Sequence, residues 1–352
     1  MQRSTVITGL LLAFSAATLA GVGYWVSGGF DFFSADSANF DGSTGTVSSY
    51  SAGREIAVGR VPRTGPHDSS TPTLPEYTIR KTVPEVRLQF TVADERGRLV
   101  PDVAQSDIRI LDDHVPVPRI QQFEKMSDLP LRIGLLLDVS DSMKRVVEQE
   151  KSVALAFLQQ VLRPGSDRAF VMAFGDGVQV WQDPSSNLGE LLGAVKQARE
   201  GGEATDFFDA VYSGCVDQWK NAETGLVHRV IVLISDGEDT GSRHGLADVI
   251  AAAQRNEIQI YTINVHLKKR AYPGDAILLR LADETGGTFF VANTVHEAES
   301  IFSQLQEEMR TQYYVSFRPL QEAPGYHDLQ VEVRAPQKLL VHARHGYYAF
   351  SQ

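Results

Sequence analysis

Residues 131–137 are apolar at every position except Arg132. A strand that is apolar on both alternations must be covered on both faces, which calls for helices on either side of its sheet. The following sequence supplies them. Helical spacing runs over 143–162 through Val146, Val147, Val153, Ala154, Phe157 and Val161. Strand patterns at 168–174 and 178–181 flank Gly175-Asp176-Gly177. Then come helices at 188–198 and 206–219, a buried strand at 230–234, a helix at 246–254, a strand at 258–265, a helix at 276–284, a strand at 288–291 and a long amphipathic helix at 295–312. Strands alternating with helices predict an α/β, doubly wound, mostly parallel sheet. The expected limits of this domain are 128–312.

The flanks read differently. Val86, Leu88, Phe90 and Val92 alternate with Arg87, Gln89 and Thr91, the period of a half-buried strand. A second strand is expected at 108–111, a turn at Asp112-Asp113-His114, and a third strand at 115–123. After the long helix, strands are expected at 313–317, 329–333 and 339–344. Neither flank alone buries a sheet face well. One small β-sandwich built from both (77–127 and 313–352), with the α/β domain inserted between them, is therefore the expected architecture. Two separate caps are the alternative.

The amino-terminal part carries a membrane signal. Residues 6–26 are uncharged and rich in Leu, about 20 residues being what a helix needs to span a bilayer. Arg3 precedes this run, and Asp31, Asp36 and Asp41 follow it. That asymmetry predicts a single-pass membrane anchor at 1–27, with the amino terminus in the cytoplasm and the bulk of the chain outside it. Cleavage after Ala20 and secretion is the alternative. Residues 28–76, dominated by Gly, Ser, Thr, Asp and Pro, read as a flexible tether. The net charge of −11 is spread along the chain with no basic patch, so nucleic acid is not an expected partner. The one cysteine, Cys215, excludes an intrachain disulfide and is expected as a small buried hydrophobe.

The chemistry concentrates where the first buried strand ends, in Asp138-Val139-Ser140-Asp141-Ser142. An aspartate at a strand's carboxyl end, followed by hydroxyls at alternate positions, converges three oxygens on one point. Hard cations such as Mg²⁺ take such a set. Ligands in open α/β sheets bind beyond the carboxyl ends of the strands. D-x-S-x-S after an apolar strand resembles the metal-ion-dependent adhesion site of von Willebrand factor type A (vWA) domains. The resemblance implies two further ligands. One is Thr205, in 201–210 (Gly-Gly-Glu-Ala-Thr-Asp-Phe-Phe-Asp-Ala). The other is Asp236, after the strand-end run 230–237 (Val-Ile-Val-Leu-Ile-Ser-Asp-Gly). Asp236-Gly237-Glu238-Asp239-Thr240, Glu284-Thr285-Gly286-Gly287, Arg310-Thr311-Gln312-Tyr313-Tyr314 and Gly346-Tyr347 extend the likeness to the bacterial VWFA-related Acidobacterial domain family, over residues 83–350.

The implied metal site is therefore Asp138, Ser140, Ser142, Thr205 and Asp236, holding Mg²⁺ (or Mn²⁺ or Ca²⁺). The implied function is a cation-dependent protein-binding module of the cell envelope, an adhesion or scaffold protein whose partner presents Asp or Glu to the metal. Two departures stand out. Asp141 occupies a position where such domains more often have Gly, and it is expected to face solvent. Glu203-Ala204 is inserted before Thr205, which makes that ligand the least secure of the five.

Other readings stay open. Asp138 could be a metal-free helix cap, and Asp236 could simply form an Asp-Gly turn. The domain could then be a metal-free scaffold. A metal-dependent hydrolase is a further alternative. Against an enzyme, the sequence has no G-x-S-x-G elbow, no H-E-x-x-H and no phosphate-binding glycine loop. His228 lies at the wrong end of its strand to serve the cleft. Asp209 is expected to be a supporting or surface charge rather than a ligand.

Overall fold

A computed structural model describes residues 85–143, 147–197, 202–219, 226–265, 273–321 and 323–349. The expected anchor and tether lie outside these residues. Among the described residues no helix is long and apolar enough to cross a membrane.

In chain order the elements are β1 (Val86–Asp94), β2 (Ile108–Asp112), β3 (Val115–Pro116), β4 (Ile120–Lys125), β5 (Leu131–Asp138), α1 (Val147–Val161), β6 (Arg168–Gly175), β7 (Gly177–Ser185), α2 (Leu188–Lys196), α3 (Phe207–Val216), β8 (His228–Ile234), α4 (Leu246–Arg255), β9 (Ile258–Val265), α5 (Asp275–Thr285), β10 (Phe289–Ala292), α6 (Val295–Arg310), β11 (Tyr313–Phe317), β12 (Gly325–Val333), β13 (Leu339–Ala343) and β14 (Gly346–Ala349). The central sheet has the order β10-β9-β8-β5-β6-β7. Its pairs are all parallel except β6–β7, where the short turn around Asp176 leaves no room for a crossover helix.

β5 is buried at every position but Arg132 because both faces are covered. Leu131, Ile133, Leu135 and Leu137 share one apolar cluster with α1, α2 and α6. Leu136 faces the opposite cluster with α3, α4 and α5. Gly134 is the exception in size, not in burial: the Phe170 ring fills its place, and a Cβ there would lie 2.3 Å from Phe170 Cζ. Cys215 is fully buried in the second cluster, where desolvation pushes its thiol pKa up. It packs as a small hydrophobe.

The flanking strands form two four-stranded sheets, β13-β1-β11-β4 and β14-β12-β2-β3. Both mix strands from the two ends of the described chain. Val86, Leu88, Phe90 and Val92 of β1 join Ile108, Ile110, Tyr313, Val315, Phe317, Leu329 and Tyr347 in one buried cluster. Tyr313 stacks on Phe90 and Phe123, and its hydroxyl donates to the Val100 carbonyl at 2.8 Å.

The sequence expectation needs three corrections here. The third strand, expected at 115–123, is two strands in different sheets. Pro116 and Pro118 have no N–H to donate, so the ladder stops and the chain crosses over. β12 starts at Gly325 rather than at 329, and a fourth trailing strand, β14, pairs with its first half. The turn at Asp113-His114 is a two-residue hairpin with both φ values positive, 48° and 64°, the geometry that the sheet twist favours.

The sandwich meets the α/β unit through polar contacts at the amino ends of the central strands. Gln312 donates to the Tyr261 hydroxyl at 2.8 Å. The buried Arg344 guanidinium donates to the Gln254 carbonyl of the α/β unit and to the Arg87 carbonyl within the sandwich. Within the α/β unit, Arg310 at the end of α6 pairs with Asp167, whose carboxylate also accepts from Leu131 N.

Candidate metal centre

β5 and β8 are parallel neighbours with Leu137 opposite Ile234. The next residues on each strand, Asp138 and Ser235, therefore fall side by side. Asp138 is fully buried. Its Oδ1 accepts from Ser140 N at 3.1 Å and from Ser140 Oγ at 2.6 Å. Its Oδ2 accepts from Ser235 Oγ at 2.6 Å. Because the Ser140 proton is committed to Asp138, Ser142 is the donor in the 3.1 Å contact between the two serine hydroxyls. Ser235 Oγ also accepts from Gly237 N at 2.9 Å.

Burial pushes the Asp138 pKa up to about 6. The bonds from Ser140 and Ser235 pull it down, and the nearby Asp236 carboxylate raises it further. Asp236 itself is half-buried, with Oδ1 accepting from Glu238 N at 3.1 Å in a local turn.

Thr205 comes to this point through its backbone. Its N–H donates to Thr240 Oγ1 at 2.9 Å. Its carbonyl accepts from Thr240 N and Gly241 N. The Gly202 carbonyl accepts from Asp141 N at 3.1 Å, so this loop is tied to the β5 loop as well. The inserted Glu203 is exposed, while Thr205 is buried. The insertion bulges outward and leaves Thr205 held in place.

A second clasp joins α3 to the loop after β8. Asp209 accepts from Arg243 N, His244 N and His244 Nδ1 at 3.0, 2.9 and 2.7 Å. Tyr212 stacks on the His244 ring. Asp209 thus braces the loop after β8 against α3.

The structure places Asp138, Ser140 and Ser142 in direct hydrogen-bond contact. Asp236 is near enough to act on the Asp138 charge. Thr205 touches none of the other four by a hydrogen bond but is laced to both neighbouring loops. Asp141 is half-buried and carries a polar interaction of its own, rather than facing solvent freely. The donors are two carboxylates and three hydroxyls, an all-oxygen set that fits a hard divalent cation.

Sequence reading missed two residues. Ser235 braces Asp138 from the neighbouring strand, and its signal was a serine directly before the strand-end aspartate. Glu150 is a buried carboxylate on α1 with neither oxygen hydrogen-bonded. Its signal was a charged residue on the apolar stripe between Val147 and Ala154.

A separate group, Asp112, Asp113 and His327, lies in the sandwich with ligand-type atoms within 4.8 Å of one another. Both ring nitrogens of His327 are already engaged, by Asp113 Oδ2 and the Ala323 carbonyl, each at 2.8 Å. Tyr347 donates to Asp112. The group works as a hydrogen-bonded clasp between the β2–β3 turn and β12.

The family model of the von Willebrand factor type A domain matches residues 133–304. No curated protein sequence matches the chain. Similar solved structures include an aerotolerance-related membrane protein from Bacteroides fragilis NCTC 9343 with multiple mutations to serines. It is 16% identical over 51% of this chain and 98% of that one, with a TM-score of 0.41. The conserved hypothetical protein BatB from Bacteroides thetaiotaomicron is likewise 16% identical over 51% and 98%, with a TM-score of 0.42. Proximal thread matrix protein 1 from the mussel byssus, with a zinc-occupied MIDAS motif, is 14% identical over 56% of this chain and 49% of that one, with a TM-score of 0.46. The parallel sheet, the strand-end Asp138 and the family match fall on the same residues, and the chain carries a von Willebrand factor type A domain at residues 133–304.

Proposed function

We propose that this protein is a cation-dependent protein-binding module rather than an enzyme. A divalent cation, Mg²⁺ or else Mn²⁺ or Ca²⁺, is held by Asp138, Ser140, Ser142, Thr205 and Asp236, and an acidic side chain of a partner protein completes its coordination. One observation carries this reading. The buried Asp138 is held from both sides by the hydroxyls of Ser140 and Ser235, while no described basic side chain pairs with Asp138, Asp236 or Glu150. Such concentrated negative charge is costly to bury unless a cation offsets it.

The test is calorimetry on the full chain in detergent, titrated with Mg²⁺ and with Mn²⁺. The wild type binds and Asp138→Ala does not. Equal binding by the variant rejects the site. Envelope placement belongs to the same proposal: residues 1–27 anchor the chain and the vWA domain lies outside the cytoplasm. A reporter fused to the carboxyl terminus then behaves as exported, and a soluble form beginning near Gly21 points instead to a cleaved signal.

A further inference from the structure

α1 begins just beyond the Asp138–Ser142 segment and lies along the sheet. Val147, in its first turn, packs with Val139 and Ala173 at the carboxyl ends of β5 and β6. Ala154, Phe157 and Val161 continue the same stripe into the main core. Glu150 lies between these levels on the same helix, three residues after Val147. It is 2% exposed. Neither of its carboxylate oxygens has a hydrogen-bond partner, and among the described residues the charges of Asp138 and Asp236 act on it.

A carboxylate that served only packing would be replaced at little cost by Leu or Met. One that served structure would carry a donor, as Asp167 does with Leu131 N and Arg310. Glu150 has neither role, and the charges of two more carboxylates, Asp138 and Asp236, act on it. Desolvation, and then the charges of Asp138 and Asp236, hold its pKa well above the ordinary range, and among the described residues no basic side chain is paired with it.

We propose that Glu150 is a further acidic residue of the cation site, acting without touching the ion to strengthen cation binding at the expense of the metal-free protein's stability. This rests on the proposed cation site and adds a consequence to it. The residue makes the fold of the α1 region depend on the ion, so that cation binding is coupled to stability.

The experiment compares full-length wild type, Glu150→Gln and Glu150→Met by calorimetry with Mg²⁺ and Mn²⁺, and by thermal unfolding in EDTA. Residues that support metal ligands without touching the ion typically change affinity about 10–100-fold. Both variants are therefore expected to bind about 10–100-fold more weakly while melting at a higher temperature than wild type in EDTA. Unchanged affinity in a folded variant overturns the inference. So does a lower melting temperature in EDTA for both variants, which would make Glu150 a structural residue. A wild type that binds neither ion rejects the cation site itself, whereas binding that Asp138→Ala abolishes and Glu150→Gln leaves intact rejects only the role of Glu150.

Discussion

Removing the Ser235 hydroxyl tests how far the site depends on a residue that no ligand motif includes. In Ser235→Ala, Asp138 Oδ2 loses its 2.6 Å donor and Gly237 N loses its 2.9 Å acceptor. Both sites are buried, and a small methyl side chain admits no replacement partner. A hydrogen bond to a charged group contributes about 1.5–3 kcal/mol and a neutral one about 1 kcal/mol. The expected loss is therefore about 2–4 kcal/mol, read as a shift of the urea midpoint of metal-free protein at unchanged slope. Asp138 also loses the bond that fixes its orientation from the β8 side. Cation affinity should then fall about 10–100-fold, as for other groups that orient metal ligands. A loss below about 0.5 kcal/mol, the range of an ordinary surface change, together with unchanged Mg²⁺ affinity, would refute the view that β8 braces Asp138 through Ser235.

Asp209→Ala removes one acceptor from three donors in the loop that follows Asp236. Amide hydrogen exchange across 238–245 should accelerate, and unchanged protection would show that the clasp does not hold the loop. Gly134→Ala drives a Cβ into the Phe170 ring and should cost about 1–3 kcal/mol, visible as a lower urea midpoint; an unchanged midpoint would mean that the ring can move aside. His327 has a raised pKa. Burial opposes its charge, but the Ala323 carbonyl and Asp113 outweigh that. Its contribution to stability is therefore full below the ordinary histidine value of about 6.5 and is lost as pH rises through the higher folded value. Unfolding free energy measured across this window should decline in wild type and stay flatter in His327→Gln, and parallel curves would remove His327 from the account.

The central sheet was legible in the sequence because its signals are local. The apolar run of β5, the 3.6-residue stripe of α1 and the Asp-Gly after β8 each lie within a few residues of one another, so period and composition suffice. The ligand segment 138–142 is local in the same way, and three of its oxygens meet as the spacing requires. Ser235 was not legible as a brace, because its partner Asp138 is 97 positions away and only the β5–β8 register brings them together. Glu150 stayed hidden for a different reason. On a helix wheel a glutamate between two apolar residues reads as an interruption, and only its complete burial shows that it faces inward. The break between β3 and β4 was written in Pro116 and Pro118, and alternation at Val115 and Val117 masked it. β14 is four residues long and pairs with a segment, 325–328, whose own sequence has no apolar alternation.

How the two flanks depend on each other follows from the strand pairings. β1 is bonded on one edge to β11 and on the other to β13, both from the trailing segment. β4 is bonded to β11, and β2 to β12 and the short β3. Deleting residues 313–352 therefore leaves, among the described residues of the leading segment, the short β2–β3 pairing and the isolated Ala93–Leu99 bridge. It also strips Tyr313, Val315, Phe317, Leu329 and Tyr347 from the cluster that covers Val86, Leu88, Phe90 and Val92. Each large buried apolar side chain contributes about 1.5–3 kcal/mol. The five lost would by themselves match the about 5–15 kcal/mol by which a whole domain is stable. The leading segment of the truncated chain should thus be unfolded rather than merely weakened. The damage should reach the vWA domain too, because the His342 and Arg344 contacts with the Gly287 and Gln254 carbonyls disappear. Limited proteolysis should cut within 85–125 far faster in the truncated protein than in the full chain, and its melting temperature should fall. A leading segment that stays resistant, with the melting temperature unchanged, would mean that those strands fold as a separate cap and that the shared core contributes nothing to their stability.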